Sequence, residues 1–283
     1  MQNPLPVMSY VQRQARAAQK ADILLKFLGS GDVFTTSDIA AELLCIDRRR
    51  ASALLQKLEQ NGALKSETHL VSQIESRDSA KKLSVKDVMA LLKRAAGDQA
   101  VALTALQSMS EKRISTARTV RIYGISPHGI ALADCYGNPH FELGRTNAAW
   151  INHRLDTQRM RIRAAAAGWT GWTPERILRL TPGMKKIPDA ISINKLGQRI
   201  SIEIERSCKT SKRYSELIVI YLQEIKAGKI DEVHYVCPAG VSKLVKKCFE
   251  SIDTVKFHGD IVKLEQKHRD RFKFFDFDEW AKD

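Results

Sequence analysis

The tightest limit on the fold comes from one run of six residues. Ile200, Ile202 and Ile204 alternate with Ser201, Glu203 and Glu205. A period of two puts the isoleucines on one face of a β-strand and the serine and both glutamates on the other. Residues 194–198, with Gly197, read as a short turn, and residues 190–193 as the preceding strand. Asp189 follows Pro188 and opens that strand, so a hairpin brings a third carboxylate toward Glu203 and Glu205. Clustered carboxylates repel unless a cation sits between them. A hard divalent ion, Mg2+ or Mn2+, takes such oxygen ligands together with substrate phosphate. It can activate water and stabilise charge on a phosphate in transfer. Lys209 and Lys212 follow the strand end and could add positive charge there. An ordinary solvent-facing strand shows the same alternation, so spacing alone leaves both readings open.

This hairpin sits in a longer α/β order. Residues 147–167 read as a long basic helix, and 176–180, 190–193 and 200–206 as strands. A helix at 211–226, a strand at 232–237, a helix at 241–251 and a short strand at 271–275 follow. Gly137-Asn138-Pro139 marks a boundary before this block.

The N-terminal part reads differently. The first 15 or so residues, with Pro4 and Pro6, are expected to fray, and helical spacing begins near Ala17. Ile23, Leu24, Phe27 and Leu28 form a one-face stripe. Residues 35–38 offer an N-cap for a second helix, and Asp47 for a third that Asn61-Gly62 closes. Residues 63–67 and 70–74 could be two strands joined around Thr68-His69. Three helices and a hairpin make a winged helix-turn-helix. Its third helix begins Asp47-Arg48-Arg49-Arg50, at the end that meets base edges. Arginine suits phosphate and guanine alike through its planar fork. Ser52, Gln56 and Lys57 could add contacts further along. Helical spacing returns at 83–95 and 98–109, and 119–133 reads as a hairpin or a strand leading into a short helix. The divisions are therefore 1–80 for the DNA-binding unit, 81–140 for a helical extension or second winged unit, and 141–283 for the α/β part.

The net charge of +14 favours a polyanion. The sequence shows neither a membrane span nor a signal segment, so a cytoplasmic protein is expected. The five cysteines lack any C-x-x-C pair and read as buried reduced thiols. Arg154, Arg159, Arg161 and Arg163 on the long helix suggest a phosphate track. Trp150, Trp169 and Trp172 suit core packing better than base stacking. His153 and Asp156 share a helix face and could contribute to a site, but a capping or surface hydrogen bond explains the spacing better. Tyr214 and Tyr221 lie two turns apart, and core packing explains them better than a nucleophilic role.

Pro188-Asp189 and Glu203-Ile204-Glu205, within this element order, resemble the PD-(D/E)XK nuclease superfamily over residues 147–237. The resemblance implies an α+β or α/β chain in which a restriction-endonuclease-like domain follows the winged helix-turn-helix. Asp189, Glu203 and Glu205 would be its metal-binding acids. The superfamily carries lysine two residues after the second acid; here that position is Glu205, and Lys209 or Lys212 would have to replace it. The combination of domains is similar to the MobC-type (MOB-C family) plasmid mobilization relaxases. That similarity implies a metal-dependent single-strand nick at an origin of transfer, with a coupling protein or other relaxosome proteins as partners. No two of the seven histidines are separated by one residue, so the HUH pattern of other relaxases is unsupported. A non-enzymatic replication or partition regulator with an inactive nuclease-like domain is the alternative, and a double-strand-cutting nuclease a third reading.

Overall fold

The computed structural model describes residues 9–72, 117–181, 183–257 and 259–282. They form a mixed α+β structure with one three-stranded and one five-stranded sheet. Helix α1 (Tyr10–Phe27) starts earlier than the apolar spacing suggests. Ser9 and Gln12 form a capping box, each side chain accepting from the other's backbone N–H, and this fixes the start at Tyr10. A π-helical turn at 28–32, with Gly31 at φ 110°, redirects the chain into β1 (Phe34–Thr35). Helix α2 (Ser37–Leu44) is capped by Thr36. Helix α3 (Arg48–Gln60) is capped by Asp47, whose carboxylate accepts from the Arg50 N–H at 2.9 Å.

The expected turn at Thr68-His69 is absent. The chain continues as one strand, β2 (Leu64–Ser72), because this pair lacks the positive-φ residues a tight hairpin needs. The partner of β2 is β3 (Ala117–Ile125), antiparallel from Leu64 opposite Ile125 to Ser72 opposite Ala117. The sheet order is β1-β3-β2. Helix α4 (Pro127–Leu132) follows, capped by Ser126, so residues 119–133 are the strand-and-helix alternative. Ile122, Ile125, Ile130 and Phe141 join the core of α1–α3, which places residues 117–141 with the N-terminal elements. The helices expected at 83–95 and 98–109 lie outside the described residues, as does the question of a second winged unit there.

Helix α5 (Ala148–Ala166) connects two cores. Ile151 and Leu155 pack with the N-terminal helices, while Met160 and Ala164 pack under the five-stranded sheet. That sheet contains β4 (Thr170–Pro174), β5 (Ala190–Ile193), β6 (Arg199–Ile204), β7 (Glu232–Cys237) and β10 (Phe272–Asp276). Between them lie α6 (Glu175–Leu178), α7 (Ser211–Lys226), α8 (Val241–Glu250), the hairpin β8 (Thr254–Phe257) and β9 (Asp260–Lys263), and α9 (Gln266–Arg269). The order is β10-β7-β6-β5-β4. The pairs β4–β5 and β5–β6 are antiparallel, and the pairs β6–β7 and β7–β10 are parallel. The short turn after β5 is held by the Asn194 carboxamide, which accepts from the N–H groups of Leu196 and Gln198. Passing from β6 to the parallel β7 requires a crossover, and α7 supplies it.

The strand expected at 176–180 is instead α6, and the first strand of the sheet lies earlier, at Thr170–Pro174. Pro174 ends β4 and precedes the helical turn, which the Glu175–Arg179 pair at i,i+4 supports. The β8–β9 hairpin is an element that the sequence pattern does not announce. Among the described residues no helix is long and apolar enough to cross a membrane.

Polar ties secure α5 to the first body. Gln158 accepts from the Thr35 hydroxyl and donates to the Phe34 carbonyl. Arg161 pairs with buried Asp32 and donates to Phe27 O and Ser30 Oγ. Removing one partner of a buried ion pair leaves an uncompensated charge. Arg161→Ala should therefore cost about 3–5 kcal/mol in urea denaturation. Arg213→Ala, whose pair with Glu216 is exposed on both sides, should cost no more than about 1 kcal/mol. Equal losses would contradict this assignment of the tie.

Candidate functional site

The register of β5 on β6 sets Asp189 one residue beyond the Ala190–Ile202 pair, level with Glu203. Asp189 Oδ2 accepts the Ile204 N–H at 2.7 Å, and Oδ1 lies 2.9 Å from His153 Nε2 on α5. Burial opposes its charge. The hydrogen bond and charge of His153, the Ile204 N–H and the Lys186 ammonium outweigh that and hold the carboxyl below its ordinary range. His153 shows the reciprocal effect: burial resists its charge, and Asp189 raises its pKa above the ordinary value.

Glu203 is buried, and its Oε1 accepts from Lys186 and from the Tyr221 hydroxyl. Burial pushes this carboxyl up. The nearby charge of Asp189 pushes the same way, against Lys186. Lys186 Nζ also lies 3.3 Å from the Ile187 carbonyl and 5.4 Å from the centre of the Tyr221 ring. Asp189, Glu203, His153, Lys186 and Tyr221 thus form one cluster. Glu205, also buried, is paired separately with Lys209. Lys212 is exposed on the first turn of α7, and none of the contacts around the three acids involves it.

Two residues of this cluster are missed or discounted by sequence reasoning. Lys186 lies on the loop before Asp189, on the opposite side of the motif from the expected lysine; the Lys185-Lys186-Ile187-Pro188-Asp189 run is its signal. His153, expected to make a surface hydrogen bond, reaches Asp189, whereas Asp156 pairs with Arg206 and Arg159. Tyr214 and Tyr221 are completely buried. Tyr214 accepts from the Lys209 N–H, and burial pushes both phenols well above their ordinary range.

Among the described residues no three His, Cys, Asp or Glu side chains converge as a metal-ligand set. Asp189 and Glu203 nevertheless suit a hard ion, being adjacent oxygen donors whose charges disfavour one another. The position between such donors attracts a cation, and here the Lys186 ammonium contacts Glu203 and the Ile187 carbonyl. Glu205 fits that set poorly because Lys209 already neutralises it.

In the N-terminal part, Arg48, Arg49 and Arg50 are exposed at the start of α3. Arg48 pairs with Asp38 at 3.0 Å and Arg50 with Asp47 at 3.1 Å. Exposed pairs of this kind contribute at most about 1 kcal/mol, so a phosphate can compete for the arginines. Lys57 is exposed on the same helix and Ser52 is half-buried. The arginines of α5 do not form the expected phosphate track. Arg161 is bound to Asp32, Arg159 to Glu42 and Asp156, and Arg163 to Phe277 O and Asp278. Of the four, Arg154 keeps the loosest partner, Glu175 at 3.6 Å. Trp169 and Trp172 pack by Trp280, whereas Trp150 is exposed. Cys237 is buried, but Cys45 is exposed and the other three thiols are half-buried.

The His153–Asp189 pair predicts a pH dependence. The folded pKa of His153 is raised, so its contribution is fully present below its ordinary value of 6.5 and is lost as pH rises through the folded value. Thermal melts should therefore fall in midpoint as pH climbs above 6.5. His153→Gln should flatten that slope, and an unchanged slope would refute the pairing.

Any chemistry assigned to this arrangement rests on its own geometry, because no family model, curated protein or solved structure matches the chain.

Proposed function

We propose that the chain binds duplex DNA through an N-terminal winged helix-turn-helix and cuts one strand in a C-terminal domain of restriction-endonuclease-like architecture. On this reading it acts as a MobC-type plasmid mobilization relaxase at an origin of transfer, with a coupling protein or other relaxosome proteins as partners. What carries the nuclease reading is Asp189 beside Glu203 across the β5–β6 pair, with His153 bound to Asp189 and Lys186 to Glu203. The element order around them supports it: a helix, three antiparallel strands, a crossover helix and a parallel strand. The DNA-binding reading is supported by the element order α1-β1-α2-α3-β2-β3 with sheet order β1-β3-β2, and by three exposed arginines opening α3.

Asp189 and Glu203 would hold Mg2+ or Mn2+. When bound, such an ion supplies activation of water and neutralisation of charge on the phosphate. His153 keeps Asp189 ionised and oriented. Lys186 brings positive charge next to the carboxylates, the part that the superfamily's motif lysine would play. Tyr214 and Tyr221, both buried, suit structural roles, so water is the nucleophile on this reading.

One observation favours a second reading, a DNA-binding regulator with a silent nuclease-like domain. Glu203 and Glu205 each already carry a lysine partner. Supercoiled plasmid bearing its cognate origin separates the two. Open circles that appear only with Mg2+ or Mn2+ support the relaxase, linear product a double-strand nuclease, and binding without cleavage the regulator. Asp189→Asn and Glu203→Gln should reduce nicking to the metal-free background with duplex affinity intact. Arg49→Ala should weaken duplex binding by about 1–3 kcal/mol if it reads a base. Normal nicking by both carboxylate variants would exclude this site.

A further inference from the structure

A second concave surface lies beside the cluster. A groove of about 520 Å³ runs between the start of α5 and the α6 segment, lined by Arg145, Trp150, Arg154, Arg176, Arg179 and Leu180 among others. Trp150 is 56% exposed, so its indole contributes little to any core. The charges on this wall are unbalanced. Four arginines meet two carboxylates: Arg145 pairs with Glu142, while Arg154 at 3.6 Å and Arg179 at 3.1 Å share Glu175. Burial, with Arg154 alongside, lowers the pKa of the Arg176 guanidinium, the direction expected for crowded positive charge. Such a concentration of charge in a concave wall attracts an anion.

The groove also leads to the candidate site. Arg154 and Glu175 line both it and the narrow cleft that contains His153 and Asp189. The Trp150 and His153 rings are nearly perpendicular, with centroids 6.0 Å apart.

We propose that this groove binds a single-stranded segment of DNA, with phosphates on Arg145, Arg176 and Arg179 and one base stacked on Trp150. Charge and indole together select this occupant. Guanidiniums alone would accept any polyanion, but an exposed indole face beside them suits an unpaired base, whereas duplex bases are stacked on one another. The volume falls within the ~300–1,000 Å³ of sites that enclose a small organic ligand, the scale of a nucleotide. Delivery of that strand toward Asp189 rests on the nuclease reading above; the binding itself does not.

Fluorescence anisotropy of a labelled oligothymidylate with the full chain tests the proposal. EDTA in the buffer keeps cleavage out of the measurement. Trp150→Ala should weaken binding about 5- to 150-fold, the range for removal of one stacked base. Trp150→Phe should recover most of it. Arg176→Gln with Arg179→Gln should weaken binding and make the logarithmic salt slope shallower by about 0.7 for each phosphate that is no longer neutralised. A labelled duplex should bind all of these variants as it binds the wild type. Circular dichroism melts show whether each variant is folded. Wild-type oligothymidylate binding by a folded Trp150→Ala protein overturns the proposal. So does tighter binding of a glutamate-rich peptide that the arginine pair governs and Trp150 does not, since the groove is then a protein-docking surface. A protein that never nicks but shows the Trp150 effect refutes only the nuclease reading. One that nicks without the Trp150 effect refutes only the groove.

Discussion

Helix α5 is buried at two places against two different cores, and the remaining geometry depends on that. Ile151 and Leu155 are fixed among the N-terminal helices, and Met160 and Ala164 under the five-stranded sheet. His153 lies between the first two anchors, so its ring is aimed at Asp189 by the packing of the opposite body. Trp150 and Arg154 flank it on the same turns and line the groove. The exposed arginines of α3 and the carboxylates of the large sheet are therefore held in one frame. Close-packed interiors move as units, so the shared helix makes the placement of the two ends interdependent.

Burial of charge is the second constraint. Asp32, Asp156, Glu203 and Glu205 are all buried, and each has a basic partner: Arg161, Arg206, Lys186 and Lys209. Removing an acid from water is costly unless it is paired in this way. Several of the chain's basic residues are consequently internal counter-charges and have no bearing on a polyanion. Among the described residues, cationic surface remains at the start of α3, in the Trp150 groove and along α8 at Lys243, Lys246 and Lys247. The same balance explains why Asp189 and Glu203 behave differently although they are neighbours. Each has two hydrogen-bond partners that favour its charge, but Glu203 is more deeply buried and the Asp189 charge beside it adds to that penalty, so burial prevails at Glu203 and not at Asp189.

Much of the fold was legible because its signals are local. The strand and helix at 232–237 and 211–226 have the bounds that their apolar periods indicate. Asp47 caps α3 as its side-chain chemistry requires, and Asn194 and Gly197 close the turn between β5 and β6. The errors fall where the deciding contact is distant or the signal is of another kind. A capping box, not apolar spacing, starts α1 at Tyr10. Residues 176–180 have β-prone apolar positions, but Pro174 and the Glu175–Arg179 pair turn the chain into a helix.

The sequence by itself determined the alternating β6 strand, the carboxylate that opens β5 and the basic start of α3. Each follows from the period of the backbone or from a side chain bonding to its immediate neighbours. Only the tertiary structure decided which groups these residues meet. It paired β2 with a strand beyond residues 73–116, brought Lys186 and His153 to the acids, and bound Arg161 to Asp32 instead of leaving it free for phosphate. A strand's period states which face is buried and is silent about its partner, and a long flexible side chain finds its counter-charge only after the backbone has folded.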